Sequence, residues 1–103
     1  MGYYTGLLEF AQKQWRTKNY EQAEQHAMQV WQQEPDNADV MSFLSRVHAD
    51  CDRLDKAKYF GQKAIKQDPR HSHAHFNLGQ AYHKSGQGEK AMTHYKKTLE
   101  VGQ

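Results

Sequence analysis

Two prolines, Pro35 and Pro69, lie 34 residues apart, and each follows a short polar run that ends in an acidic residue. The same interval relates four further sets of three residues. Two sets are small and two are large and apolar: Ala23, Ala57 and Ala91; Ala11, Ser45 and Gly79; Phe10, Leu44 and Leu78; Trp31, Ile65 and Leu99. This recurrence of residue size at a fixed step predicts a repeat protein, in which each unit buries its apolar face against its neighbours.

The composition supports a thin helical core. Leu, Ile, Val and Phe number only 15 among 103 residues, whereas Ala alone numbers ten, and the net charge is only +2. Ala is the strongest helix former, and its small side chain lets helices approach closely. The single cysteine, Cys51, cannot form an internal disulfide, and no apolar run approaches a membrane span. These features disfavour a disulfide scaffold, a membrane protein and a strongly basic nucleic-acid binder.

Each unit of the repeat is predicted to contain two helices. Breaks are expected at 17–19, near 50–52 and at 84–88, and the prolines end the second helix of each pair. Asn19, followed three residues later by Gln22, resembles a capping box, and the segment 35–37 offers caps for the next helix. No strand periodicity persists, so the predicted fold class is all-α, with antiparallel helix pairs.

The third unit carries a family resemblance. Residues 75–82 read His-Phe-Asn-Leu-Gly-Gln-Ala-Tyr and are followed by Ala91, Tyr95 and Leu99, which resembles the tetratricopeptide repeat (TPR) signature. The second unit departs from it at Ser45, His48 and Gly61, and the first at Gln14. The resemblance implies one domain over 1–103, with repeats at about 4–37, 38–71 and 72–103 stacked as a short right-handed α-solenoid.

In similar proteins, the first helices of the repeats line a concave groove that holds a peptide of a partner. Carried over by register, this groove would contain Leu8, Glu9, Gln12, Trp15, Arg16, Asp39, Ser42, Phe43, Arg46, Asp50, His73, Phe76, Asn77, Gln80, His83 and Lys84. The best candidates are three aromatic anchors, three amides, three bases and a histidine: Trp15, Phe43, Phe76, Gln12, Asn77, Gln80, Arg16, Arg46, Lys84 and His83. The three bases slightly favour an acidic peptide as the ligand. The alternative is that Phe43 and Phe76 only pack between repeats, with the polar residues as solvated surface.

One subset of the family grips the terminal carboxylate of a chaperone with Lys, Arg and Asn side chains. The corresponding residues here are Leu8, Gln12, Phe43, His73 and Asn77. None of the basic positions holds Lys or Arg, so a clamp of that type is not expected. The difference concerns this ligand and leaves peptide binding in general open.

Metal binding and catalysis are weakly supported. His71, His73 and His75 alternate where a helix begins, so only His71 and His75 could share a face, and no Cys or carboxylate completes a ligand set nearby. Cys51 with His48 is a conceivable nucleophile and base, but nothing in the sequence orients the imidazole. We therefore expect no cofactor and no enzymatic activity.

Charge is unevenly distributed along the chain. The three units carry −2, +2 and +2, and the second contains Lys56, Lys58, Lys63, Lys66 and Arg70. A solvated helix face explains this run better than a nucleic-acid surface, since no nucleic-acid motif accompanies it.

The C-terminal edge of the stack is predicted to leave Ala91, Tyr95 and Leu99 partly uncovered. The chain is then either a segment of a longer protein or a module that self-associates through this edge.

The expected function is a non-enzymatic module that binds a protein or peptide partner, with no nucleic acid and no membrane span. The alternative is a structural or self-associating spacer of a larger assembly. In the absence of a targeting segment, a cytoplasmic location is favoured.

Overall fold

The computed structural model describes residues 2–102, which form six α-helices in three consecutive pairs. The helices are α1 (Gly2–Arg16), α2 (Tyr20–Gln33), α3 (Ala38–Asp50), α4 (Leu54–Gln67), α5 (Ser72–Lys84) and α6 (Gly88–Val101). Each helix packs on its pair partner, α3 also packs on α5, and α5 on α4. Within this range there is no β-strand, so the predicted all-α stack of helix pairs is confirmed.

The three turns inside the pairs share one geometry. Lys18, Asp52 and Gly86 each have a positive φ, of 66°, 62° and 80°. They lie 34 residues apart, and the amide after each one donates to a carbonyl five residues back, as in Asn19 N to Gln14 O at 2.8 Å. This is the Schellman ending of a helix, which turns the chain back to make the second helix antiparallel to the first.

The connections between pairs are built from the prolines and side-chain caps. Glu34 and Asp68, which precede the two prolines, have φ of −131° and −141°, so α2 and α4 end just before them. The Asn37 side chain then accepts hydrogen bonds from Asp39 N and Val40 N at the start of α3. The expected cap from segment 35–37 is therefore present.

The capping box predicted at Asn19 is wrong. Asn19 precedes α2, but its side chain makes no cap hydrogen bond. The side-chain nitrogen Nδ2 instead donates to Thr17 Oγ1 at 3.1 Å. The backbone of Asn19, with a φ of −85° and a ψ of 67°, differs from that of Asn37, whose ψ of 105° accompanies a capping side chain. A capping side chain needs a more extended residue.

The small residues of the 34-residue period lie where helices approach most closely. Ala11, Ala23 and Ala57 are fully buried, and the Ser45 hydroxyl donates to the Ala57 carbonyl at 2.7 Å. A Cβ at Gly79 would lie 2.7 Å from the Tyr95 ring, so only glycine fits there without displacing that ring. The period therefore reports helix packing, as the sequence predicted.

The C-terminal edge is only partly uncovered. Ala91 is 2% exposed, contrary to the expectation that it would be accessible, because it packs against Leu78 and Tyr82 of α5. Tyr95 is half-buried over Gly79, while Leu99 is 70% exposed. Among the described residues, no helix is long and apolar enough to cross a bilayer.

Candidate functional site

A concave groove of about 500 Å³ opens between α1 and α3 and reaches the start of α5. It forms there because α1 and α3 barely touch, whereas α3 and α5 pack closely. Its lining consists of Thr5, Leu8, Glu9, Gln12, Trp15, Arg16, Asp39, Ser42, Phe43, Arg46, His71, His73 and Asn77. Six of the ten best candidates from the sequence lie here: Gln12, Trp15, Arg16, Phe43, Arg46 and Asn77.

The floor of the groove is apolar. Leu8 and Trp15 are half-buried, and Phe43 is 8% exposed and belongs to the core. The Trp15 and Phe43 rings meet edge to face with their centroids 6.4 Å apart. Phe43 thus packs between the first two helix pairs and also lines the groove, so the two interpretations of this residue are compatible.

Asp50 is the electrostatic centre of one end of the groove. Its Oδ2 accepts a 2.6 Å hydrogen bond from Trp15 Nε1 and lies 3.4 Å from Arg46 Nε, while Oδ1 lies 3.8 Å from Lys84 Nζ. The Arg46 guanidinium also lies 4.9 Å from the centroid of the Trp15 ring, a cation–π contact. Two of the predicted bases are therefore already paired with a carboxylate, which weakens their pull on an acidic ligand.

The amides predicted to bind a peptide backbone differ in availability. Asn77 Nδ2 donates to both the carbonyl and the hydroxyl of Ser42, each at 3.0 Å, and so joins α5 to α3. Gln12 is half-buried in the groove lining. Gln80 does not line the groove.

Four of the ten best candidates, Phe76, Gln80, His83 and Lys84, lie outside the groove lining, and so does Asp50. The Phe76 ring is 37% exposed and packs on Tyr95 at 5.7 Å between centroids, so it faces α6. Lys84 donates to the Ala49 carbonyl at 3.0 Å and stabilises the α3–α5 contact. These positions follow the family register, but the groove lies between α1 and α3 and includes only the first part of α5.

Two lining residues, Thr5 and His71, were not among the predicted groove residues. His71 precedes α5, and its Nδ1 accepts a hydrogen bond from Ala74 N, so it caps this helix. Its Nε2 lies 2.6 Å from Asp39 Oδ1 and joins the starts of α3 and α5 at the groove rim. The turn after Pro69 was the only sequence signal that could have placed His71 there.

The histidines do not assemble a metal centre. His71 caps the start of α5, and its ring nitrogens contact Ala74 N and Asp39 Oδ1. His75 is 5% exposed, with Nε2 2.8 Å from the Pro69 carbonyl and Nδ1 3.3 Å from His94 Nδ1. Burial, and then His75, lower the pKa of His94. In the described part of the chain, no group of three or more His, Cys, Asp or Glu side chains could hold a metal ion.

His48 has other partners than Cys51. It is 1% exposed and stacks on Phe60, its Nδ1 accepts from Arg53 Nε at 3.0 Å, and its Nε2 lies 3.6 Å from Glu24 Oε2. Burial lowers its pKa; Glu24 opposes that shift, and Arg53 and Lys56 add to it. Both ring nitrogens are thus engaged in joining α2 to the α3–α4 turn.

Comparison with known proteins agrees with the helix pairs. Residues 14–60 match one tetratricopeptide repeat family model, and residues 60–93 match another. Together the two matches cover most of the chain, from the end of α1 to the first part of α6. The chain belongs to the tetratricopeptide repeat family.

The TPR chain is similar to parts of larger proteins. It is 31% identical over 85 residues to the UDP-N-acetylglucosamine–peptide N-acetylglucosaminyltransferase of Caenorhabditis elegans, covering 82% of this chain and 7% of that enzyme. It also resembles the O-GlcNAc transferase of Thermobaculum terrenum, with 28% identity and a TM-score of 0.91 over 95% of this chain and 19% of that one. It therefore spans only a small part of both transferases.

A TPR structure with a bound peptide shares the fold. The first TPR of Spaghetti, bound to an HSP90 peptide, has 17% identity and a TM-score of 0.89, covering 95% of this chain and 78% of that one. This likeness, together with the family matches, supports a protein interaction module.

Proposed function

We propose that this TPR module binds a peptide segment of a partner protein in the groove between α1 and α3. The observation that carries the proposal is the groove itself: about 500 Å³ of concave space with Leu8, Trp15 and Phe43 at its floor. An apolar floor with a few polar groups around it is the usual form of a binding site. Burial of a partner's apolar side chains there supplies affinity, and the rim supplies selectivity.

The proposed role is binding rather than catalysis. His48 is the histidine nearest in sequence to Cys51, and its two nitrogens contact Arg53 and Glu24. Cys51 itself packs against the core. The similarity to the transferases extends over too little of those enzymes to bring their activity to this chain.

The proposed ligand is not a chaperone tail of the carboxylate-clamped kind. The five positions that correspond to the clamp, Leu8, Gln12, Phe43, His73 and Asn77, all line the groove. They supply apolar surface, amides and one imidazole, but no Lys or Arg. A ligand that fits this set uses apolar side chains along its length instead of a terminal carboxylate.

Site-specific crosslinking tests the proposal. A photoreactive p-benzoylphenylalanine in place of Leu8 would report contacts inside the groove, and the same residue in place of Tyr59, which is 51% exposed on α4, is the matched control. After irradiation in a lysate of the source cell, we expect partner peptides joined at position 8 and not at position 59. Equal yields at both positions, or adducts only to the chain itself, would contradict groove binding.

The structural alternative has one observation in its favour. Met92 and Leu99 are 53% and 70% exposed on α6, and the Phe76 ring is accessible beside them. A spacer or self-associating role would use this edge. Sedimentation of the isolated chain separates the two functions, because a Leu99→Glu variant would abolish self-association without affecting crosslinks at position 8.

A further inference from the structure

The charged side chains of the groove follow one order along both walls. On α1, Glu9 precedes Arg16, and on α3, Asp39 precedes Arg46. Each acid and base are seven residues apart, which is two helical turns, or about 10 Å, and places them on the same face. The short turns make α1 and α3 run in the same direction, so both acids lie towards one end of the groove and both bases towards the other.

The basic end keeps an excess of positive charge. Asp50 is the carboxylate at this end, and it interacts with Arg46 and Lys84. Arg16 is exposed on the opposite wall and adds a further positive charge. At the acidic end, Asp39 contacts His71 but its side chain is 73% exposed, and Glu9 is exposed on α1. The groove therefore has electrically distinct ends.

The groove offers few partners to an extended peptide backbone. Every buried backbone amide and carbonyl needs a hydrogen-bond partner. The Asn77 amide nitrogen is committed to Ser42, and Gln80 lies outside the lining, which leaves Gln12 as the main available amide. A helix satisfies its own backbone and presents only side chains, so it suits this apolar floor better.

We propose, on the basis of the proposed function, that the ligand is an amphipathic helix that runs antiparallel to α1 and α3. An acidic residue near its start faces Arg16 and Arg46, and a basic residue seven positions later faces Glu9 and Asp39. Apolar residues three and four positions after the acid rest on the floor at Trp15 and Phe43, which lie between the charged positions of α1 and α3. An acidic residue near the start of a helix and a basic residue near its end also stabilise the helix through its dipole.

Peptide selection from a displayed random library of 14-residue sequences tests this inference. Three proteins are used: the native chain, a charge exchange in the groove (Glu9→Arg with Arg16→Glu), and the same exchange on the exposed face of α6 (Glu89→Arg with Lys96→Glu) as control. Both exchanges preserve net charge and lie on exposed helix positions. Circular dichroism verifies that each variant is folded, and Gln at positions 9 and 16 provides a milder second variant.

We expect the native chain and the α6 control to select peptides with an acid followed seven residues later by a base. The groove exchange should select peptides without this order, because Asp39 and Arg46 on α3 keep the original arrangement and oppose the exchanged charges of α1. The affinity of a selected peptide should fall about tenfold on the groove exchange, since two favourable pairs become repulsive. Bound peptides should show helical circular dichroism.

The outcomes separate the two proposals. Suppose that Leu8→Glu abolishes binding of the selected peptides. The helical ligand is then overturned, and groove binding stays intact, if the peptides show no order of acid and base, if the exchanged groove selects the same order as the native chain, or if the bound peptides are extended. If Leu8→Glu weakens none of the selected peptides, groove binding itself is wrong, and this inference falls with it.

Discussion

The two interfaces between successive helix pairs are built from the same 34-residue period but pack in opposite ways. The first interface joins α1 and α2 to the second pair, and large aromatic rings fill it: Trp15 against Phe43, and Trp31 against Phe60 at 5.1 Å between centroids. The second interface joins α3 and α4 to α5, and small residues allow close approach there. Because the rings hold α1 away from α3, the groove lies at the first interface.

Gly61 shows how close the second interface is. A Cβ placed on it would lie 3.0 Å from Leu78 Cβ and 3.1 Å from Ser45 Oγ. One period earlier, the corresponding position is Ala27. The difference teaches that the period determines where helices face each other, whereas the residues between the repeated positions determine how far apart they lie.

The largest effect is expected from Gly61→Val. The added methyl groups would enter the space occupied by Leu78, so we expect the free energy of unfolding to fall by about 2 kcal/mol, a typical cost of overpacking. Urea denaturation followed by circular dichroism measures it.

The matched control for that variant is Gly6→Val on α1, where a Cβ meets nothing within 4 Å. It should leave stability unchanged or raise it slightly, because glycine is a weaker helix former than valine. Equal stabilities for the two variants would show that the second interface yields easily and that its close packing is not a constraint.

A somewhat smaller effect is expected at the first interface from Trp15→Phe. This change keeps a ring at the groove floor but removes the 2.6 Å hydrogen bond from Nε1 to Asp50. A hydrogen bond to a charged group contributes about 1.5–3 kcal/mol when it is well buried, and this one is half-buried, so we expect a loss of about 1–2 kcal/mol in urea.

Trp31→Phe is the control for the indole nitrogen. In the described part of the chain, Trp31 Nε1 is buried without a hydrogen-bond partner, so its removal costs no such bond. If Trp31→Phe destabilises the protein as much as Trp15→Phe, ring size rather than the Asp50 bond holds the first interface together.

The fold was largely predictable from the sequence because its signals are local. The prolines end α2 and α4, and the repeated small residues mark helix contacts, so the three pairs follow. The apolar groove floor at Trp15 and Phe43 was also predictable from register. The pairing of Arg46 and Lys84 with Asp50 was not, because it depends on distances between side chains of different pairs. Phe76 and Gln80 share the register of groove residues, yet only the packing of α5 shows that they lie outside the lining.

A smaller, pH-dependent effect should also distinguish the interfaces through His48. Burial lowers its pKa from 6.5, so the unfolded chain binds more protons than the folded one just below that pH. Stability should therefore be highest above about pH 6.5 and fall as the pH drops through the window below it. Protonation would also put a hydrogen on His48 Nδ1, which now accepts a hydrogen bond from Arg53 Nε. Two donors would then face each other, and the contact that Arg53 makes with Glu24 of α2 would loosen.

Urea midpoints measured between pH 5 and 8 check this expectation. His48→Gln should flatten the profile, and the exposed His83→Gln is the control that should leave it unchanged. His94, whose pKa is lowered in the same direction, contributes the remaining slope from the third pair. A profile that is equally steep in His48→Gln would assign the acid sensitivity to the third pair instead.

The smallest change, Lys18→Gly, tests whether the first interface couples the first pair to the rest of the stack. Lys18 has a φ of 66°, which costs a non-glycine residue about 1 kcal/mol, and the corresponding residue of the third pair is already glycine. The substitution should therefore stabilise the α1–α2 hairpin by about 0.5–1 kcal/mol without touching either interface.

Amide hydrogen exchange shows which helices gain stability. If the aromatic first interface couples weakly, slower exchange should be confined to α1 and α2. Slower exchange throughout α3 to α6 would mean that the rings couple the pairs as tightly as the close packing at Gly61, and that the wide groove does not weaken the stack.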